Sequence, residues 1–218
     1  MEATLSALHA HDIQISDQQS ALLARFVDSF MAYNAHTNIS AIRQPEAIWT
    51  KHIADSLMLL KFEDISGSAI DIGTGGGLPG IPLAIMRPTQ PMFLLDSVGK
   101  KIKACQSFIE ELGLENTRTI LGRAEKIAKD SQHKHNYDTV LSRATAYLPI
   151  LLAWSEHLLA PGGRIIMYKT PSDEERQAGT AVAKELKLTL AREHRYELEG
   201  QQRYILVYER TSTVKQRK

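Results

Sequence analysis

Residues 69–80 read Ala-Ile-Asp-Ile-Gly-Thr-Gly-Gly-Gly-Leu-Pro-Gly, and how they are read decides the fold. A short apolar run reaches Asp71, and glycines follow at 73, 75 and 77. Pro79 stands where a helix begins, a position that tolerates its missing N–H and fixed φ. A strand, a glycine-rich turn and a helix start, in that order, are how an α/β sheet holds a nucleotide-like ligand at the carboxyl ends of its strands. Two registers compete. From Gly75 through Gly77 to Gly80 the stretch matches the dinucleotide pattern G-x-G-x-x-G, but the strand must then run through Gly73 and Thr74, which is poor strand chemistry. Read from Asp71, it is D-x-G-x-G-x-G.

A second carboxylate follows. Met92-Phe93-Leu94-Leu95-Asp96 is another apolar run ending in an acid. An acidic residue about 20 residues beyond the glycines, at the end of the next strand, can accept hydrogen bonds from both ribose hydroxyls. Asp96 serves any adenosine-containing cofactor and does not separate the registers. The register from Asp71 resembles the first motif of S-adenosylmethionine-dependent methyltransferases. That resemblance implies S-adenosylmethionine as cofactor, with the backbone at Gly73, Gly75 and Gly77 approaching its methionine moiety and Asp71 near its ammonium end.

Composition sets the frame. The chain has 218 residues, 43% hydrophobic and 23% charged, which fits one soluble globular enzyme with a substantial core. No stretch approaches the roughly 18 apolar residues of a membrane span. Glu2, His9, His11 and Asp12 do not form the basic-then-apolar pattern of an export signal. One cysteine, Cys105, excludes an internal disulfide and points to a reducing compartment, so a cytoplasmic location is expected. The formal charge is +1, so a nucleic-acid partner has to be met by a local basic surface.

Two zones follow one another along the chain. Between about 17 and 60, Leu22, Leu23, Phe26, Val27 and Phe30, then Ile48, Ile53, Leu57 and Leu60, recur at helical spacing. This predicts two helices separated by the polar segment Asn34 to Gln44, with Pro45 opening the second. Beyond 68, strands at 68–73, 92–96, 117–121, 137–142 and 163–168 alternate with helices near 79–87, 98–112, 123–130 and 146–159. That alternation calls for a parallel sheet with helices on both faces. After a helix at 173–187, Leu188 to Leu198 and Arg203 to Glu209 read as two strands joined by the turn Glu199 to Gln202. A closing hairpin on a parallel sheet belongs to the seven-stranded methyltransferase fold, whereas a dinucleotide domain continues with further βα units. The expected organisation is an N-terminal helical extension over 1–66, an α/β core over 67–210 and a polar basic tail over 211–218.

The resemblance narrows further. Tyr33-Asn34-Ala-His-Thr-Asn38-Ile-Ser-Ala-Ile-Arg43, then Glu46, Trp49 and His52-Ile-Ala-Asp55-Ser56, resembles the N-terminal signature of the bacterial RsmG/GidB family. The glycine stretch, Leu94-Leu95-Asp96-Ser97 with Lys100-Lys101, Arg123-Ala124-Glu125 and Ser142-Arg143-Ala144 appear in the family's order, over roughly residues 15 to 210. The resemblance implies a seven-stranded Rossmann-like α/β methyltransferase with an N-terminal helical extension. Its expected activity is methylation of N7 of a guanine in the 530-loop region of 16S ribosomal RNA, free or in the small-subunit ribonucleoprotein. The protein is expected to be a monomer without membrane association. Two departures affect loops: Lys169-Thr170-Pro171, where the family usually has Lys-Gly, and the lengthened stretch Ser131 to Asn136.

Residue by residue, the cofactor set is Asp71, Gly73, Gly75, Gly77, Leu78, Asp96, Ala124, Glu125 and Arg143. Leu78 is expected to pack on the cofactor, and Ala124 and Glu125 to read the adenine edge. Arg143 resembles the family's cofactor-site arginine. Its expected part in catalysis is to position cofactor and guanine, since its pKa is too high for a base. Guanine N7 has an exposed lone pair and no proton, so it attacks without a general base and catalysis is mostly positioning. Cytosine-5 methylation would need a thiolate, whereas Cys105 falls on an apolar helix face and reads as structural. RNA contacts are expected from Arg43, His52, Lys100, Lys101 and Arg123. His133, Lys134 and His135 lack ligand partners at metal spacing and read as a polar loop. Two other functions remain open: a small-molecule methyltransferase whose N-terminal helices form a lid, and a nonenzymatic adenosine-binding regulator.

Overall fold

The computed structural model describes residues 1–211, so the expected tail beyond Thr211 lies outside the described residues. The extension begins with helix α1 (Glu2–Ala10), which the apolar spacing did not foretell. Helix α2 (Asp17–Thr37) follows. Ser16 caps it with a full capping box against Gln19, satisfying two otherwise orphaned N–H groups, and Asn38 ends it in the left-handed conformation. The expected second helix is not one continuous α-helix. It consists of α3 (Pro45–Ile48), a π-helical segment (Trp49–Ala54), α4 (Asp55–Leu57) and α5 (Leu59–Phe62). Single π turns inside helices widen the coil and recur at functional sites.

The core alternates strands and helices. Strand β1 (Ala69–Ile72) leads through the glycine turn to α6 (Gly80–Met86); β2 (Met92–Asp96) leads to α7 (Gly99–Leu112) and β3 (Thr117–Leu121) to α8 (Ala124–Ile127). β4 (Tyr137–Arg143), α9 (Leu148–Leu158), β5 (Leu159–Lys169) and α10 (Asp173–Glu185) come next. The hairpin β6 (Leu188–Leu198) and β7 (Gln201–Arg210) closes the described chain. Its turn is only Glu199-Gly200, both at positive φ, as a two-residue hairpin connection requires. Pro79 is the residue before α6 rather than inside it, and the Leu78–Pro79 bond is cis.

Seven strands form one sheet in the order β3-β2-β1-β4-β5-β7-β6. All pairs are parallel except β5–β7 and β6–β7. β7 inserts antiparallel between β5 and β6, which no dinucleotide-binding sheet of order 3-2-1-4-5-6 does. Strand order reverses between β1 and β4. Ligands of open α/β sheets bind at such a switch point, outside the carboxyl ends of the strands.

The extension shares its core with one sheet face. Leu23, Phe26, Phe30, Ile53 and Leu57 join Leu83, Leu94 and Phe108 in one buried cluster. Phe26 and Phe108 meet edge to face at 5.5 Å, fastening α2 to α7 with about 0.5–1.5 kcal/mol beyond the area they bury. The other face is filled by Leu148, Leu151, Leu152, Ile165 and Leu206.

Candidate functional site

Two clefts meet at the switch point. The smaller, of about 310 Å³, is lined by Gly73, Asp96, Val98, Lys101, Glu125 and Trp154, among others. The larger basin, of about 600 Å³, lies between the extension, the 144–147 loop and the closing hairpin. Ala144 and Thr145 belong to both. Ala144 sits at φ +52°, a conformation that costs a side-chain-bearing residue energy and is held here by its neighbours.

The smaller cleft is built at the ends of successive strands. Asp96 Oδ2 accepts from Gly75 N at 3.0 Å and Oδ1 from Val98 N at 2.9 Å, so one carboxylate ties the glycine loop to the start of α7. Each oxygen keeps a lone pair for a further donor. Gly73 is at φ +70°, and a Cβ there would meet Thr145 at 2.1 Å, so the β1 loop and the 144–147 loop touch only because residue 73 is glycine. Ala124 and Glu125 line the same cleft. Arg123 is 69% exposed and sits 3.8 Å from Glu125, and Lys100 is exposed.

Asp71 does not line either cleft. It is fully enclosed, with Oδ2 accepting from Thr74 Oγ1 at 2.7 Å and Gly80 N at 3.0 Å, while Oδ1 is buried without a partner. Burial raises its pKa to about 6 despite those bonds. Its visible work is to brace the glycine turn from behind, which corrects the expected placement at the ligand surface. Leu78 is likewise part of the hydrophobic core and lines neither cleft, which corrects its expected packing on the cofactor. Gly75 and Gly77 shape the loop beneath the cleft wall, at φ +59° and +89°. Cys105 is buried, its Sγ 3.4 Å from the Gly75 carbonyl, and burial pushes its thiol far up, so it stays neutral.

The basin is assembled from distant segments. Arg143 Nη1 donates to Asp55 Oδ2 at 2.7 Å and to the Lys51 carbonyl at 2.9 Å, both on or just after the π-helical segment. Asp55 Oδ1 accepts from Tyr196 Oη at 2.7 Å, so one buried carboxylate joins the extension, β4 and β6. Tyr168 Oη donates to the Ser56 carbonyl at 2.7 Å. Burial raises the phenols of Tyr168 and Tyr196, so both remain hydroxyl donors. The hairpin tip adds Glu199, which accepts from Thr50 at 2.7 Å and pairs with Lys51 at 3.2 Å.

His52 corrects a further expectation. It lines the basin, but it packs edge to face on Phe30 at 5.6 Å, with Nε2 3.0 Å from Ser40 Oγ and Nδ1 3.4 Å from Arg143 Nη2. Burial first and the Arg143 charge second lower its pKa to about 4. Near neutral pH it is uncharged and brings no cation to the basin. Arg43 is engaged by Asn38 and the Asn34 carbonyl, within the extension itself. Lys101 lies 4.0 Å from Asp96 in the smaller cleft. The expected RNA set therefore divides between two places instead of forming one rim. The basin's own cations are Lys51, Arg143, Lys169 and Arg203, of which sequence reasoning gave Arg143 a site role and counted Lys51 among the basic residues that could meet RNA, but assigned no role to Lys169 or Arg203.

His133 and His135 turn to Tyr137 Oη at 2.6 Å and the Leu159 carbonyl at 3.2 Å. Among the described residues no group of three or more His, Cys, Asp or Glu is placed to hold a metal, and no helix is long and apolar enough to cross a membrane.

Comparison with known proteins adds sequence kinship. The family model described as rRNA small subunit methyltransferase G matches residues 19–204. Ribosomal RNA small subunit methyltransferase G of Carboxydothermus hydrogenoformans is 34% identical over 215 residues, covering 96% of this chain and 92% of that protein. Its namesake from Trichormus variabilis is 37% identical over 169 residues, covering 74% and 69%. Among solved structures, M. jannaschii TYW2 in complex with AdoMet superposes with a TM-score of 0.58 at 15% identity, over 73% of this chain and 76% of that one. Geranyl diphosphate methyltransferase in complex with GPP and sinefungin gives 0.58 at 13% identity, over 73% and 78%. At such identities the superpositions establish a shared fold.

Proposed function

This chain belongs to the rRNA small subunit methyltransferase G family, and from that premise we propose that it transfers a methyl group from S-adenosylmethionine to N7 of a guanine in the 530-loop region of 16S ribosomal RNA. The observation that carries the reading is the pair of clefts meeting at Ala144 and Thr145. One offers a carboxylate with spare lone pairs; the other offers cations and phenols around a larger space.

The smaller cleft fits an adenosyl group by its donor set. Asp96 would hold the ribose hydroxyls, Ala124 and Glu125 would border the adenine, and the loop at Gly73 would let the backbone come close. When bound, S-adenosylmethionine supplies an electrophilic methyl on a cationic sulfur.

The chain's own part is orientation. Arg143, clamped by Asp55 and the Lys51 carbonyl, keeps further N–H donors with which to hold the cofactor's amino-acid end and the target base in register. Guanine N7 has no proton to lose, so the basin needs no base. His52, with its pKa near 4, and the neutral Cys105 thiol match that requirement. Lys51 and Arg203 at the basin, and Lys100 and Arg123 beyond the smaller cleft, are the proposed phosphate contacts. Mapping N7-methylguanosine in 16S ribosomal RNA from cells with and without the gene tests the reading. Loss of one site in the deletion strain, restored by the purified protein with S-adenosylmethionine, is expected. An unchanged map would sink the reading in favour of a small-molecule substrate.

A further inference from the structure

Beyond β5 the sequence runs Lys169-Thr170-Pro171-Ser172 before α10 begins. Ser172 caps that helix by accepting from Glu175 N at 3.2 Å, which fixes Glu175 in its first turn. Lys169 Nζ then donates to Glu175 Oε1 at 2.6 Å and to the Ala146 carbonyl at 2.7 Å. Glu175 Oε1 also accepts from Leu148 N at 2.7 Å. Both side chains line the basin and are only 11% and 16% exposed.

Counting donors and acceptors leaves something over. An ammonium group has three N–H donors, and two are spent. A carboxylate has two oxygens, and every hydrogen bond to Glu175 among the described residues falls on Oε1. The pair therefore presents one free donor beside one free acceptor, held to the 144–147 loop and to α9. Desolvating an ion pair is expensive, so a pair kept in a cleft wall with unused capacity suits a ligand of matching polarity.

Guanine has that polarity on its Watson–Crick edge: the O6 acceptor stands beside the N1–H and N2–H donors. Adenine reverses it, with an N6–H donor beside a bare N1. We propose that Lys169 and Glu175 are the specificity-determining pair for guanine, with Lys169 Nζ donating to O6 and Glu175 Oε2 accepting from N1–H and N2–H. Holding that edge leaves N7 uncovered, as methylation there requires. The assignment rests on the guanine reading above and adds the residues that enforce it.

The test uses full-length protein and 16S ribosomal RNA carrying either guanine or 2,6-diaminopurine at the mapped position. Both bases keep N7 and the 2-amino donor, but diaminopurine replaces the O6 acceptor and N1–H donor of guanine with an N6–H donor and a bare N1. Wild-type kcat/KM should favour guanine by about tenfold to a hundredfold, the range of one bidentate base contact. Glu175→Gln, whose amide can both donate and accept, should bring the two bases within about threefold. Lys169→Met should lower the guanine rate and leave the diaminopurine rate nearly unchanged. Parallel losses on both bases, with the ratio intact, would overturn the proposal and make the pair a structural clasp. Should the variants fail to fold, wild-type protein decides alone: equal rates on the two bases would overturn it. Absence of wild-type transfer to the guanine RNA is a separate result, which removes the guanine reading and this assignment with it.

Discussion

The two clefts share two residues and almost nothing else in their construction. The smaller is local: Asp96 reaches Gly75 across 21 positions and Val98 across two, and the glycine loop follows directly from β1. The basin is remote: Asp55 meets Arg143 over 88 positions and Tyr196 over 141. A shape whose ties are mostly short-range is set largely by turn chemistry. A shape made by distant segments depends on every interface between them. Damage should therefore stay confined in the first cleft and spread in the second.

The largest expected effect is at the hub of the basin. Arg143→Ala should cut single-turnover methyl transfer by about a hundredfold or more at saturating cofactor and RNA, because orientation is lost, and it should also loosen the extension by leaving Asp55 without its cation. Lysine should restore only part, since a point charge cannot replace the planar fork that spans Asp55 and the Lys51 carbonyl. A wild-type rate for the alanine variant would show that the basin does not hold the reacting groups.

Asp55→Asn should act on structure as well as rate. It leaves the Arg143 guanidinium without its carboxylate and weakens the Tyr196 contact, and breaking such a pair costs roughly 2–4 kcal/mol at this degree of enclosure. Hydrogen exchange should quicken in the extension and in β6 while β1 and β2 keep their protection. Uniform quickening would erase the distinction between the clefts.

Asp96→Ala probes the local side. Losing charge-assisted hydrogen bonds to the ribose should weaken S-adenosylmethionine binding by about 1–3 kcal/mol, read by calorimetry, with RNA affinity barely moved.

The smallest effects are in pH, and the two sides carry opposite signs. Asp71 has a raised pKa of about 6, so its share of stability is fully present below its unfolded value and is lost as pH rises through 6. Asp71→Asn should thus gain on wild type by about 1 kcal/mol between pH 5 and pH 8 in thermal unfolding. His52 has a lowered pKa of about 4 and favours folding above its unfolded pKa. That share declines as pH falls from 6.5, by about 2 kcal/mol at pH 5, and should loosen the extension first. A difference between wild type and Asp71→Asn that does not change with pH would mean that Asp71 is not closed off from water.

What the sequence discloses follows the same division. Asp96, Ala124 and Glu125 were legible because a strand end followed by a glycine or helix start places its own residues, and the parallel alternation and closing hairpin fixed the sheet. Asp55 stood within a recognised motif, yet its role was invisible because both partners lie in other segments. His52 read as a cation for the same reason: its charge is removed by Phe30, Ser40 and Arg143, which only the fold brings to it. The π-helical segment had no signature either. Its residues carry ordinary helical spacing, and the Lys51 carbonyl is claimed by an arginine 92 positions away.

The hairpin tip has a temporal meaning. Ribosomes make a chain from its first residue, and early segments fold as they emerge. Here Glu199 grips Thr50 and Lys51, Tyr196 grips Asp55, and Arg192 and His194 grip Glu63 at 2.5 and 2.8 Å. The helices of the extension therefore wait for strands made well after them before their polar side is closed. A growing chain can complete its smaller cleft before it owns a basin, which closes only once β6 and β7 have been made.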